Sequence, residues 1–206
     1  MDEKLKRKWL EYAVREVTTQ CKLARVAYES IRGQLGTDGP FILIQAFLTH
    51  TANASKMLQA SQEPRRTLRY EYDWRKVFQL LRRFGLFKRG PTIGDLLEID
   101  KRSPIHSKAR QFRNHLEHYD DRLFNWIRKY RLDIGIADFN VMPRNAIRAP
   151  VGAMIFIRNI DPQTLAFTFL DKDLDTQTLI EELDRIKATA DNYVTAVEVE
   201  RRRKIG

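Results

Sequence analysis

From Glu3 to Arg32 the chain contains neither glycine nor proline. Within that run, apolar or small residues recur at Leu5, Trp9, Tyr12, Ala13, Val17, Cys21, Ala24, Tyr28 and Ile31. Steps of three and four residues trace one face of an α-helix, so the run predicts a single long amphipathic helix. Such a helix draws most of its stability from tertiary packing of that face. The feature commits the chain to a helical assembly before any other residue is read. Gly33 stands where a C-cap glycine belongs, and GQLGTDGP forms the loop that follows.

Pro40 opens a second predicted helix that runs to about Ala60. Its segment FILIQAFLTHTANASKML is apolar or small almost all round, the mark of a central helix touched on several sides. Gln45, His50, Asn53 and Lys56 interrupt it, which fits a buried helix rather than a membrane span. SQEPRRT breaks the chain. A third helix is expected over about 70–84, carried by Trp74, Val77, Phe78, Leu81 and Phe84, and a short helical turn over Thr92–Leu97. Ser103 as N-cap and Pro104 at the first helical position then signal a strong start. Ile105, Ala109, Phe112, Leu116, Tyr119, Leu123, Trp126 and Tyr130 follow in steps of four and three, predicting one unbroken helix over 104–130.

After Ile136 the pattern changes. VGAMIFIRNI, then DPQT, then LAFTFL reads as a β-hairpin around a proline-containing turn, and residues 138–148 could add another strand. DKDLDT reads as a second turn, with Asp175 or Thr176 capping a helix over about 176–198. RRRK at 201–204 reads as a frayed, solvated basic end. The expected fold is therefore mainly α: a helical bundle over 1–136, with a small C-terminal β-hairpin and helix over 137–206 packed on it.

A hydrophobic content of 43% is enough for a real core, and the net charge of +10 favours polyanionic partners. Nucleic acid comes first among these; an acidic membrane surface or protein comes second. Basic clusters stand at Arg65-Arg66-Arg69, Arg82-Arg83, Lys88-Arg89 and Lys101-Arg102. Each of them taken singly reads as ordinary solvated surface. Cys21 is the single cysteine, which excludes an intrachain disulfide and a cysteine-rich zinc module. It lies on the apolar stripe of the first helix and reads as a buried thiol. The opening MDEKLKRKWLEY is charged and lacks an apolar core, so no secretory signal is expected; with the second helix read as buried, no membrane span is expected either, and a reducing cytoplasm is the expected compartment.

One segment is chemically dense. Residues 110–122 read RQFRNHLEHYDDR, with Arg110, Arg113 and Arg122 beside Glu117, Asp120 and Asp121, and with His115 and His118 between them. On a helical wheel of roughly 100° per residue, the apolar stripe centres on Phe112 and Leu116. Asn114, His118 and Asp121 fall on the far side, Arg113 on one flank, and His115 with Arg122 on the other. The core does not dictate the identities of Asn114 or His118. Three readings are open for this segment. One is a solvated face with pairs such as Arg113 with Glu117. Another is a metal site built from His115, His118 and Asp121, with His50 and His106 standing elsewhere and alone.

The third reading comes from the joint pattern. Arg113-Asn114, three residues, then His118, written RNHLEH, resembles the R-x4-H motif of the HEPN superfamily, commonly R-N-x-x-x-H. The long first helix, the second helix rich in small residues (QAFLTHTANASKMLQ) and the motif on a later helix also resemble that family, over roughly residues 3–131. The resemblance implies a HEPN-like helical bundle and a metal-independent endoribonuclease needing no cofactor, or a relative that has lost the activity. The residue types suit that chemistry. RNA carries its own nucleophile in the 2′-OH. Cleavage then needs a base, an acid for the leaving 5′-oxygen and cationic stabilisation of the phosphate. An imidazole such as His118 serves as base or acid, and a guanidinium such as Arg113 offers a planar fork to phosphate oxygens. Asn114 would bind the phosphate or orient His118.

One motif supplies one histidine, so the resemblance also implies a homodimer with two motifs facing across the interface. The sequence departs from one HEPN toxin subgroup by carrying Asp120 where that subgroup has a tyrosine two residues beyond the histidine. Glu117, Asp120 and Asp121 add negative charge beside a phosphate site. The alternative function keeps the fold without catalysis: a nucleic-acid- or protein-binding protein working through its basic surface, its protein partner unidentified.

Overall fold

The computed structural model describes residues 2–37, 39–62, 90–130, 136–143, 146, 155–170 and 172–203. The helix expected over 70–84 and the clusters at Arg65-Arg66-Arg69, Arg82-Arg83 and Lys88-Arg89 lie outside the described residues.

The first helix, α1, spans Glu3–Arg32. Asp2 caps it by accepting from the Lys4 amide, and Gly33 closes it. Its buried face runs through Ala13, Val14, Val17, Cys21, Ala24, Tyr28 and Ile31, close to the expected stripe. Leu5 and Tyr12, counted on that stripe, are exposed. The buried face begins only at Ala13 and is narrower than that stripe, which leaves both in solvent. Helix α2, Gly39–Leu58, returns antiparallel, so that the Trp9 indole donates to the Ser61 carbonyl at 3.0 Å. Phe41, Ile44, Phe47, Leu48, Thr51, Ala52, Ala54, Ser55 and Leu58 are buried, as a central helix requires. Ile42 is the exception, 70% exposed.

A single turn of helix, α3 (Ile93–Leu96), is closed by a capping box between Thr92 and Asp95. The expected long helix over 104–130 is three pieces instead. A π-helical turn covers Ile105–Ala109, α4 covers Arg110–Glu117 and α5 covers Tyr119–Tyr130. His118 breaks the helix between the last two, with φ −114° and ψ 45°. The apolar spacing runs across the break without a gap, so it carries no trace of it. The tertiary partners explain the change of direction: α4 sets Phe112 into the main core, whereas Trp126 on α5 packs in a separate small cluster with Ile157. Ser103 also departs from expectation. Its hydroxyl donates to Glu182 at 2.6 Å on the last helix, tying the two elements together in place of capping.

The chain then forms short strands: β1 (Ile136–Ala137), β2 (Asn140–Val141), β3 (Ile155–Phe156), β4 (Arg158–Ile160), β5 (Phe167–Phe169) and β6 (Lys172–Leu174). The expected hairpin is β4–β5, antiparallel, with Arg158 opposite Phe169 and Ile160 opposite Phe167. β2 falls within 138–148 and pairs parallel to β4; β1 pairs parallel to β3 in the same register. That register continues across the gap between the pairs and sets Phe139 opposite Arg158. DKDLDT is not simply a turn: Lys172–Leu174 is the edge strand β6, antiparallel to β5. The reversal is a tight one at Leu170, whose φ is 47°. Its polar composition suits a strand with one solvated face, since only Leu174 of the three turns inward.

Helix α6, Thr176–Arg203, ends the described chain. Asp175 is its cap, accepting from the Thr178 amide at 3.1 Å, while the Thr176 hydroxyl is buried on the Leu165 carbonyl at 2.7 Å. α6 lies antiparallel to α1, with Tyr28 bonded to Gln177, Arg25 to Asp184, Thr18 to Asp191 and Arg15 to Glu198. The exposed ion pairs among these fix register more than they add stability. The structure is mainly helical with a four-stranded sheet, β2-β4-β5-β6, near the C-terminus. Buried residues from α1, α2, α3, α4 and α6 and from β4, β5 and β6 form one contiguous cluster. No described helix is long and apolar enough to cross a membrane.

Candidate functional site

The dense segment sits where α4 ends. Its starting point is fixed from the neighbouring helix: His106 Nδ1 meets the Ser55 hydroxyl at 2.9 Å and the Gln59 side-chain amide at 3.2 Å. His106 is thus held by α2, and burial lowers its pKa against the opposing pull of Glu182 and Asp100. His50 likewise has a helix partner, Gln20 at 2.8 Å.

From that anchor α4 carries its residues in a fixed order. Phe112 points into the core, and Leu116 half-covers it. Asn114 and His118 are exposed, as the wheel required. They meet through the backbone, the His118 amide donating to the Asn114 carbonyl at 3.1 Å. Arg113 is more withdrawn, its side chain 20% exposed, and its guanidinium is engaged by Glu117 one turn on. The Arg113 Nε is buried without a hydrogen-bond partner among the described residues. No hydrogen bond joins Arg113 to His118 within the described chain. The motif residues therefore share one end of α4, but the guanidinium is turned to an acid and not to the imidazole.

His115 departs most from the sequence reading. Placed on a flank by the wheel, it is 6% exposed and lies between Phe112 and Phe169, each ring centroid 6.2 Å away. Neither ring nitrogen has a hydrogen-bond partner among the described residues. Burial, then Lys172 and Arg122, pull its pKa below the ordinary histidine value. The sheet, which the wheel cannot include, widened the buried arc of α4. Because His115 turns inward while His118 and Asp121 face out, these three do not converge as a metal site. Among the described residues no group of three or more histidine, cysteine or acidic side chains is placed to hold a metal ion. Cys21 is buried as expected, and burial pushes its thiol up to about 12.

Beside Leu116 lies a feature the sequence did not announce. A cavity of about 460 Å³ opens between the start of α2, α4 and the sheet, lined among others by Phe41, Gln45, Leu116, Phe139 and Arg158. Asp138 and Arg158 are twenty positions apart, and only the parallel pairing of β1–β2 with β3–β4 brings them together. Of the expected basic clusters, Lys101-Arg102 is described: Lys101 reaches Asp95 at 3.0 Å across an exposed surface.

No family model, curated protein or solved structure matches this chain.

Proposed function

We propose that this protein acts on RNA as a metal-independent endoribonuclease of the HEPN kind, a HEPN-like helical bundle in which Arg113 and His118 are catalytic and Asn114 supports them. The observation that carries the reading is the exposure of Asn114 and His118 at a helix break. Neither side chain serves the core there, and each is open to a bound strand. His118 takes the 2′-OH proton or protonates the leaving 5′-oxygen. Arg113 gives its fork to the phosphate as charge builds on it. Acid and base then come from two copies, so the proposed working unit is a homodimer with both α4 ends facing one phosphodiester. A net charge of +10 assists the approach of the RNA backbone.

One observation favours a second reading. Arg113 is held by Glu117, which competes with any phosphate for the same donors. A protein that binds nucleic acid or another protein without cleaving it tolerates that pair. Incubation with mixed RNA in EDTA separates the two. Cleavage that leaves 2′,3′-cyclic phosphate ends and is abolished by His118→Ala and by Arg113→Ala supports the enzyme. Salt-sensitive binding that survives both changes, without cleavage, supports the binder.

A further inference from the structure

The cavity beside α4 has walls of an unusual kind. Phe139 holds a positive φ of 54°, an outlier for a bulky residue, and the residue is 48% exposed. Asp138 maintains that arrangement from two directions. Its carboxylate accepts from the Phe139 amide at 2.9 Å, and from Arg158 Nε at 2.8 Å and Nη2 at 2.6 Å. The guanidinium is thereby laid over the Phe139 ring, 3.6 Å from its centroid. The Phe41 ring meets Phe139 edge-on at 5.0 Å. Ile42 stands 70% exposed on α2, and Gln45 lines the cavity one turn later.

The chemistry of these walls selects a class of ligand. Arg158 is already matched in charge by Asp138, so a bare anion gains little there. What the stack offers is flat polarisable surface beside aromatic edges. An aliphatic tail has no use for a guanidinium pinned flat. A planar heteroaromatic ring does, since bases stack on aromatic rings and on guanidinium planes. The Gln45 amide adds a donor and an acceptor suited to a base edge. The volume of about 460 Å³ lies in the range of small-molecule sites. Strained residues held by their surroundings, as Phe139 is, cluster at ligand clamps.

We infer that this cavity is a pocket for one unpaired nucleobase, with Phe139 and Arg158 as the stacking wall and Gln45 at the base edge. Leu116, which lines it, is three positions from Arg113 on α4, a neighbour on the helix surface at about 5–6 Å between Cβ atoms. A base seated there leaves its backbone beside the end of α4 that carries Arg113. That the ring belongs to an RNA strand rests on the function proposed above; that the pocket takes the ring does not.

The test titrates the protein with a fluorescent single-stranded oligoribonucleotide, with an abasic strand of equal length, and with adenosine 5′-monophosphate as the free source of the same ring. The expected result is roughly tenfold tighter binding of the ordinary strand than of the abasic one. Gln45→Trp, which fills the mouth from an exposed helix position, removes that preference, and Phe139→Ala weakens it; thermal unfolding confirms that both variants fold. Mononucleotide binding lost in Gln45→Trp, with no strand binding, upholds the pocket and overturns its assignment to RNA. Equal affinity for both strands together with no Gln45→Trp-sensitive nucleotide binding overturns the pocket. In that case EDTA-resistant cleavage dependent on His118 still stands or falls by itself.

Discussion

Replacing His115 by leucine should make the protein more stable. The imidazole is 6% exposed and neither of its nitrogens has a hydrogen-bond partner among the described residues. A buried polar group left unpaired costs about 1–3 kcal/mol. Leucine is similar in bulk and brings no polar atom to a site walled by Phe112 and Phe169. Misfit of shape takes back up to about 1.5 kcal/mol. The net gain expected at pH 7.5 is about 1–2 kcal/mol, or roughly 2–8 °C in Tm for a chain of this size. The gain should widen on acidification. Burial, Lys172 and Arg122 hold the folded-state pKa below the ordinary 6.5, so the unfolded chain binds the proton first. Stability from the neutral imidazole is therefore complete above pH 6.5 and is lost as pH falls below it. Between pH 6.5 and 5.0 the wild type loses at most about 2 kcal/mol through this group, and His115→Leu loses none of it. Urea unfolding of both proteins at pH 7.5 and 5.0 measures the gap; titrations they share cancel. A variant less stable than wild type at pH 7.5, or a gap that stays constant between the two pH values, would refute the reasoning and show the imidazole to be hydrogen-bonded in the folded state.

Glu117→Gln should release Arg113 from its acid and remove a negative charge from the end of α4; single-stranded RNA should then bind about twofold to fivefold more tightly at low salt. An unchanged affinity in fluorescence anisotropy would mean that Arg113 does not meet the phosphates. Thr92→Ala removes the capping box of α3 and should cost about 1 kcal/mol in urea unfolding at pH 7. The Thr92 amide, Lys101 and the Thr92 hydroxyl hold the Asp95 carboxyl at about 2, below its ordinary value. That stabilisation is present above about pH 4 and disappears as pH falls toward 2, so the difference between Thr92→Ala and wild type should shrink across the same window.

The elements that could be read from sequence are those whose signal is local. The run from Glu3 to Arg32 became one helix because nothing in it breaks a helix and its apolar positions repeat at the helical period. The same logic located α2 as the central helix, the turn Asp161–Thr164 between β4 and β5, and Asp175 ahead of α6. It also put Asn114 and His118 outside the core, since a helix of known phase fixes which way each residue points.

Local period says nothing about what lies opposite. The spacing through Ile105, Phe112 and Trp126 continues across His118, yet the helix turns there because its two halves bury their apolar residues in different clusters. His115 went inward because Phe169 of β5 covers a flank of α4 that a wheel leaves open. Glu117 took hold of Arg113 through a choice of side-chain conformation that spacing permits but does not require. The stack of Arg158 on Phe139 depends on a parallel register between residues nineteen positions apart, with the intervening chain between them. Sequence alone determined α1, α2 and α6 and the outward direction of Asn114 and His118. The tertiary structure decided which polar groups were buried, which distant charges paired, as Arg158 with Asp138, and where a cavity formed, because those outcomes depend on surfaces brought together from distant parts of the chain.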